Sequence, residues 1–285
     1  MNIREAVASD SEACGRIMHS AFRGIAEAHG FPPDIGSDEM GSGLAAILIV
    51  SPTVYAYVAE QDGHVVGSNF VFEGDLIRTV GPLTVEPALQ GGRIGRKLME
   101  TMVERTRGAL GVRFCADSFN RGSVPMYASL GFEVKEPLLL MRGSCRSPPT
   151  PGYAVRPFAA GDLDACGRVC DRVHGVQRPS ELRDAAKAFK PYVVERDGRV
   201  TGYLTAATFW QLNHAVAETD ADMYALLAGA SAANDEPISF LLPIRQPHLF
   251  RWCLTEGLRI VKPMLLMATG LYQEPAGAWF PSVFY

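Results

Sequence analysis

L-T-V-E-P-A-L-Q-G-G-R-I-G-R-K-L-M-E, residues 83–100, passes from a β-branched strand into a turn holding three glycines and then directly into an amphipathic helix. Such a connection points several backbone N–H groups at one spot in front of a helix N-terminus. There the unpaired donors and the positive end of the helix macrodipole favour an anion. A phosphate ester is the expected ligand, and Gln90, Gly91, Gly92, Arg93, Ile94, Gly95 and Arg96 form the loop that would meet it.

Two phosphate-binding classes are excluded by what the loop lacks. A P-loop needs Lys-Ser or Lys-Thr after its last glycine, whereas Gly95 is followed by Arg96, Lys97 and Leu98. The dinucleotide fingerprint needs G-x-G-x-x-G, and Gly91-Gly92-Arg93-Ile94-Gly95 has the wrong spacing. A second segment follows the apolar run at 112–116: Asn120-Arg-Gly-Ser-Val-Pro-Met-Tyr127-Ala-Ser-Leu-Gly131-Phe132. Together the two resemble the GNAT acetyltransferase superfamily, whose pyrophosphate loop is usually [QR]-x-x-G-x-[GA] and whose later strand-helix segment reads N-x6-Y-x3-G-F. Gln90, Ile94 and Gly95 fit the first pattern, and Asn120, Tyr127, Gly131 and Phe132 fit the second. Arg93 stands where the middle glycine usually is, and a side chain there makes a left-handed backbone costly.

The resemblance implies an α/β fold, acetyl-CoA as cofactor and direct attack of an amine on the thioester. It implies that Asn120 contacts the cofactor and that the Tyr127 hydroxyl faces the sulfur and assists the departing thiolate. The strands ending at Val85 and Asp117 would splay, with the pantetheine arm bonded by backbone groups of Leu83 and Val85. An amine protonated at neutral pH also needs a base. Glu73, Asp75, Glu86 and Asp117 are candidates by position. So is the Tyr285 carboxylate, because Trp279-Phe-Pro-Ser-Val-Phe-Tyr285 is an apolar tail that must dock somewhere. Packing of that tail against its own domain is the simpler expectation.

The chain also repeats itself. Residues 3–17 aligned with 155–169 give seven identities in fifteen, residues 57–67 with 192–202 give seven in eleven, and 131–141 with 257–267 give five, in the same order. The expected architecture is therefore two tandem GNAT-like domains, 1–145 and 153–285, each a mixed, mostly antiparallel sheet flanked by helices. Between Gly202 and Gly257 no Gln-x-x-Gly loop recurs, so the second copy is expected to be degenerate and the cofactor site to lie in the first. The proline-rich stretch R-G-S-C-R-S-P-P-T-P-G, residues 142–152, reads as the linker.

Composition is that of a globular protein, 47% hydrophobic and 20% charged. Up to Cys145 there are 13 basic and 17 acidic residues, against 14 of each in the remainder. No broad basic face favours nucleic acid, and an acidic first half suits a cationic amine. No apolar run has membrane-spanning length, and six cysteines without C-x-x-C suggest neither a disulfide framework nor a metal site; Cys166 and Cys170 read as core thiols. The expectation is a cytoplasmic N-acetyltransferase acting on a small-molecule amine, with a homodimer compatible and peptide acetylation a variant. The rival is a non-catalytic acyl-CoA-binding or sensing module.

At the level of elements, Ser9-Asp10-Ser11-Glu12 predicts a helix to about Phe22. Residues 25–50 predict loop and helix, an acceptor lid in the resemblance. Residues 55–59 and 65–72 predict a hairpin across Asp62-Gly63. Residues 78–85 predict one strand, 94–107 a helix with Ile94, Leu98, Met99, Met102 and Val103 as its apolar stripe, and 112–117 a strand.

Overall fold

In the computed structural model, which describes residues 1–285, the chain divides into two compact units. The first comprises Met1–Phe114 and Ser118–Glu133. It opens with β1 (Asn2–Glu5), α1 (Ser11–Ala28) and α2 (Asp38–Val50). Then come β2 (Val54–Gln61), β3 (His64–Phe72), β4 (Ile77–Val80), β5 (Thr84–Val85), α3 (Ile94–Arg105), β6 (Gly111–Asp117) and α4 (Ser123–Ser129). The ladders β1–β2, β2–β3 and β3–β4 are antiparallel, and β4–β6 is parallel.

The expected hairpin is present, with Asp62 at φ 51° and Gly63 at φ 78°, the two left-handed residues that match the twist of paired strands. The first helix runs farther than the capping signature implied, to Ala28. Its start also differs, because the Asp10 carboxylate accepts from Val7 N–H and Arg4 and so closes a 3-10 turn ahead of the helix. Helices α1 and α2 cross in close contact at glycine: a Cβ on Gly15 would lie 2.1 Å from Ser42 N. Cys14, Met18, Ala45, Leu48, Val58 and Phe70 fill the core beneath them.

The single strand expected over 78–85 is broken in two. The parallel ladder of β4 with β6 ends at Thr79↔Arg113, the chain turns at Gly81 and Pro82, and β5 continues along β3 instead. This is the divergence of neighbouring strands that the resemblance implies.

The second unit comprises Cys115–Asp117 and Val134–Tyr285. It contains β7 (Glu133–Gly143) from its second residue onward, β8 (Tyr153–Pro157), α5 (Leu163–His174), α6 (Pro179–Ala188), β9 (Tyr192–Arg196), β10 (Arg199–Leu204) and β11 (Ala215–Ala217). There follow α7 (Asp220–Ala232), β12 (Ile238–Pro243), α8 (Pro247–Glu256), β13 (Arg259–Gly270) and β14 (Ala278–Phe280). One antiparallel sheet has the order β14-β11-β10-β9-β8, and β13, β7 and β12 lie side by side as another.

The repeat is visible in the atoms. Arg4 Nη1 meets Asp10 Oδ2 at 2.7 Å and Arg4 Nε meets Glu60 at 2.8 Å; Arg156 Nη1 meets Asp162 Oδ2 at 2.7 Å and Arg156 Nε meets Glu195 at 3.1 Å. Asp197 and Gly198, at φ 52° and 74°, repeat the first hairpin turn. Cys166 and Cys170 are fully buried on α5, where burial pushes their thiols up to about 12 and about 11. They are core groups, as their helical spacing predicts. No helix is long and apolar enough to cross a membrane.

Candidate active site

The glycine loop begins as a type II turn. Gln90 sits at φ −63° and ψ 151°, Gly91 follows at φ 83°, and Gly92 N–H donates to Leu89 C=O at 3.4 Å. Arg93 then takes a left-handed conformation, φ 64° and ψ 6°, despite its side chain. The penalty that the sequence predicts for a non-glycine residue here is thus carried by the fold, and such strain persists only where surrounding structure imposes it.

Arg93 is the N-cap of α3, and its side chain forms no capping bond. The first helical hydrogen bond runs from Lys97 N–H to Arg93 C=O, so the amides of Ile94, Gly95 and Arg96 precede it as the open donors of a helix start. No acidic residue lies in the first turn. Ile94, Leu98, Met99 and Met102 of the expected apolar stripe are buried as core, while Val103 at its edge is half-buried. Ile94 and Leu98 pack with Val85 and part-buried Leu83, fixing the helix start against β5.

Two loop side chains have structural partners that the motif does not reveal. Gln90 Nε2 donates to the Val85 carbonyl at 3.1 Å, clamping the loop to the strand it leaves. Arg96 Nη2 donates to Ser129 Oγ at 2.5 Å, tying α3 to α4. Arg93 and Lys97 are exposed around the helix start.

Asn120 Oδ1 accepts from Gly122 N–H at 3.2 Å and Ser123 N–H at 3.0 Å, so its carboxamide oxygen starts α4. Any ligand contact from Asn120 falls to its Nδ2. Tyr127 is 9% exposed on α4, its ring edge-on to Phe114 of β6 at 4.6 Å, and Phe114 also meets Phe132 at 4.9 Å.

Among the carboxylates, Glu73 is held by Arg78 at 2.8 Å and by Nε and Nη2 of Arg105 at 3.1 and 3.2 Å, while Arg105 also lies 3.3 Å over the Tyr55 ring. Asp117 Oδ1 bonds the Lys262 ammonium at 2.7 Å, both side chains buried, with Trp210 5.2 Å from that ammonium. Glu86 is part-exposed where β5 leaves the sheet, and its N–H donates to Val66 C=O at 2.9 Å. Asp75 lies in the turn between β3 and β4. Tyr285 is fully buried in the second unit, its hydroxyl 2.8 Å from His174 Nδ1.

A strand break, a glycine turn and a helix start without a capping side chain thus lie in succession along the chain, and known proteins share the fold that carries them. Residues 52–134 match the family described as the acetyltransferase (GNAT) domain. Among solved structures, an acetyltransferase described as such from Pyrococcus horikoshii is similar over all of this chain and 92% of its own, at 16% identity and TM-score 0.73. A GCN5-related N-acetyltransferase from Sphaerobacter thermophilus is similar over 96% of both chains, at 16% identity and TM-score 0.61. A tandem GNAT protein from the clavulanic acid biosynthesis pathway is similar over 97% of this chain and 99% of its own, at 12% identity and TM-score 0.56. The chain therefore has the GNAT fold in tandem form, as expected. No curated protein matches it in sequence.

Proposed function

We propose that the protein transfers the acetyl group of acetyl-CoA directly to an amine of a small molecule. The observation that supports this most is the start of α3, where three open amides follow a glycine turn without a capping side chain or an acidic residue. A pyrophosphate supplies the charge and acceptors such a helix start lacks. In this reading Gln90, Gly91, Gly92, Arg93, Ile94, Gly95 and Arg96 cradle the pyrophosphate, Leu83 and Val85 line the pantetheine arm, and Asn120 contacts the cofactor. Tyr127 donates to the departing thiolate. The repeat 1–145 carries the site, and 153–285 is its degenerate copy.

The test has two stages. Calorimetric titration with CoA should show one site per chain, and release of CoA thiol from acetyl-CoA should accelerate when an amine library is added. Binding without thiol release for any amine would make the protein an acyl-CoA-binding module, and absence of binding would overturn the reading.

A further inference from the structure

An amine must lose a proton before it attacks a thioester, and two of the carboxylates available in sequence are poorly placed to take it. Glu73 faces two guanidinium groups and Asp117 an ammonium. Protonating either would sacrifice charge-assisted bonds.

His29 is differently placed. It ends α1, and its Nδ1 lies 2.9 Å from the Ile25 carbonyl oxygen. A carbonyl oxygen only accepts, so Nδ1 carries the hydrogen and the neutral ring holds its lone pair on Nε2, away from the helix backbone. The ring is exposed and rests 5.0 Å from Phe119, on which Phe31 stacks at 4.6 Å and 27°. Phe119 immediately precedes Asn120, two residues beyond the end of β6. Strands β4 and β6 are parallel, so their carboxyl ends share one edge of the sheet, and the glycine loop leaves from that edge after β5. The connection of α1 to α2 and the connection of β6 to α4 thus bring an imidazole and two phenyl rings together beside Asn120. Buried Ile35 anchors the first of these connections in the core.

We propose that this aromatic shelf receives the acceptor, with His29 Nε2 as the base and Phe31 and Phe119 seating an apolar or aromatic group next to the amine. The inference rests on the acetyl transfer proposed above. The acceptor ammonium gives one proton to His29 Nε2, directly or through one water. The freed nitrogen lone pair forms the C–N bond to the thioester carbonyl, the C–S bond breaks with its electron pair leaving on sulfur, and the second nitrogen proton is lost as the amide forms. The thiolate is protonated to the CoA thiol, and one proton passes from His29 to solvent. An imidazole suits this role because its neutral ring offers one nitrogen lone pair to a proton and can pass that proton on.

The experiment uses the full chain with phenethylamine and ethanolamine as acceptors and calorimetric CoA binding as the check on an intact cofactor site. Phenethylamine should be the better acceptor. Phe119→Ala should raise its KM by roughly 10-fold or more, leave ethanolamine within about twofold, and be rescued by Phe119→Tyr. His29→Gln should keep CoA affinity and lower kcat/KM about 10²-fold at neutral pH, with the deficit narrowing as pH rises towards ionisation of the amine itself. An unchanged rate and pH profile in a CoA-binding His29→Gln variant overturns the base, and equal response of both amines to Phe119→Ala overturns the shelf, while acetyl transfer stands in both cases. A wild-type protein that binds no CoA, or releases no thiol with any amine, removes the transferase reading and this inference with it.

Discussion

At the scale of single residues, Gly95 is where the cofactor assignment is most exposed to test. A Cβ built there meets Val85 Cγ2 at 3.6 Å and Leu83 Cδ2 at 3.9 Å, ordinary contacts, so the position tolerates a side chain. Asp at this place should therefore fold, and its carboxylate at a helix start is itself favourable. The same charge would occupy the ground of a bound pyrophosphate, so Gly95→Asp should weaken CoA binding by about 10-fold or more while the melting temperature holds. Unchanged affinity in calorimetry would show that the phosphates bind elsewhere. Tyr127→Phe asks a separate question, because the phenylalanine keeps the edge-on packing against Phe114 and removes only the hydroxyl. If that hydroxyl assists the thiolate, kcat falls about 10²-fold with CoA affinity intact; a change below about twofold assigns Tyr127 to packing.

At the scale of elements, the two helix starts that follow the repeated hairpins differ in kind. α3 opens with no capping side chain and no acid, and Arg93 in its cap. α7, which follows the second hairpin, has Thr219 capping it: the Thr219 hydroxyl accepts from Asp222 N–H at 3.2 Å, and Asp220 and Asp222 occupy the first turn. Asp222 is fully buried, accepts from Thr201 Oγ1 at 2.8 Å and lies 3.2 Å from Arg196 Nε. An anion approaching α7 would meet two carboxylates and donors already engaged. Calorimetry should accordingly give one CoA per chain, and a stoichiometry of two would refute degeneracy of the second copy.

Much of this element-level picture was readable in the residues. The hairpins follow from Asp-Gly pairs, the stripe on α3 from its 3.6 spacing, and the repeat from identities such as Arg4 with Arg156 and Asp10 with Asp162, which recur as the same ion pair. The break between β4 and β5 is marked in the residues by Gly81-Pro82, a turn-forming pair, but only the ladders show that both halves stay on β3 while β4 alone pairs with β6. The capture of Gln90 by Val85 was not readable, since that bond depends on how the loop folds back. His29 falls in the segment expected as the lid, but nothing local assigns it a role, since its neighbour Phe119 lies 90 residues away in the chain.

At the scale of the whole molecule, the apolar end of the chain is a structural strut of the second unit. β14 pairs with β11, and Tyr285 then returns into the core, fully buried against His174, His214 and Trp279. Arg178 donates to the Phe284 carbonyl at 2.5 Å and to Glu181 at 2.8 Å, and Glu181 also accepts from Ser282. Burial alone would raise the Glu181 carboxyl, but Arg178, His214 and Ser282 outweigh it and hold the group well below the ordinary carboxylate range. A carboxylate depressed in the folded state contributes stability that is present above its unfolded pKa and lost as pH falls through the folded value. The melting temperature should therefore decline below about pH 4. Glu181→Gln should melt lower at neutral pH and decline less steeply in acid. Removing Phe284 and Tyr285 deletes a buried aromatic group and the acceptor of Arg178, a loss of about 3–5 kcal/mol. In a unit of this size that lowers the melting temperature by roughly 10 °C. With the tail acting only as a strut, CoA affinity and kcat/KM measured well below the transition should stay within about twofold of wild type. Impaired acetyl transfer with an unchanged melting temperature would instead assign Tyr285 to acceptor binding or proton removal.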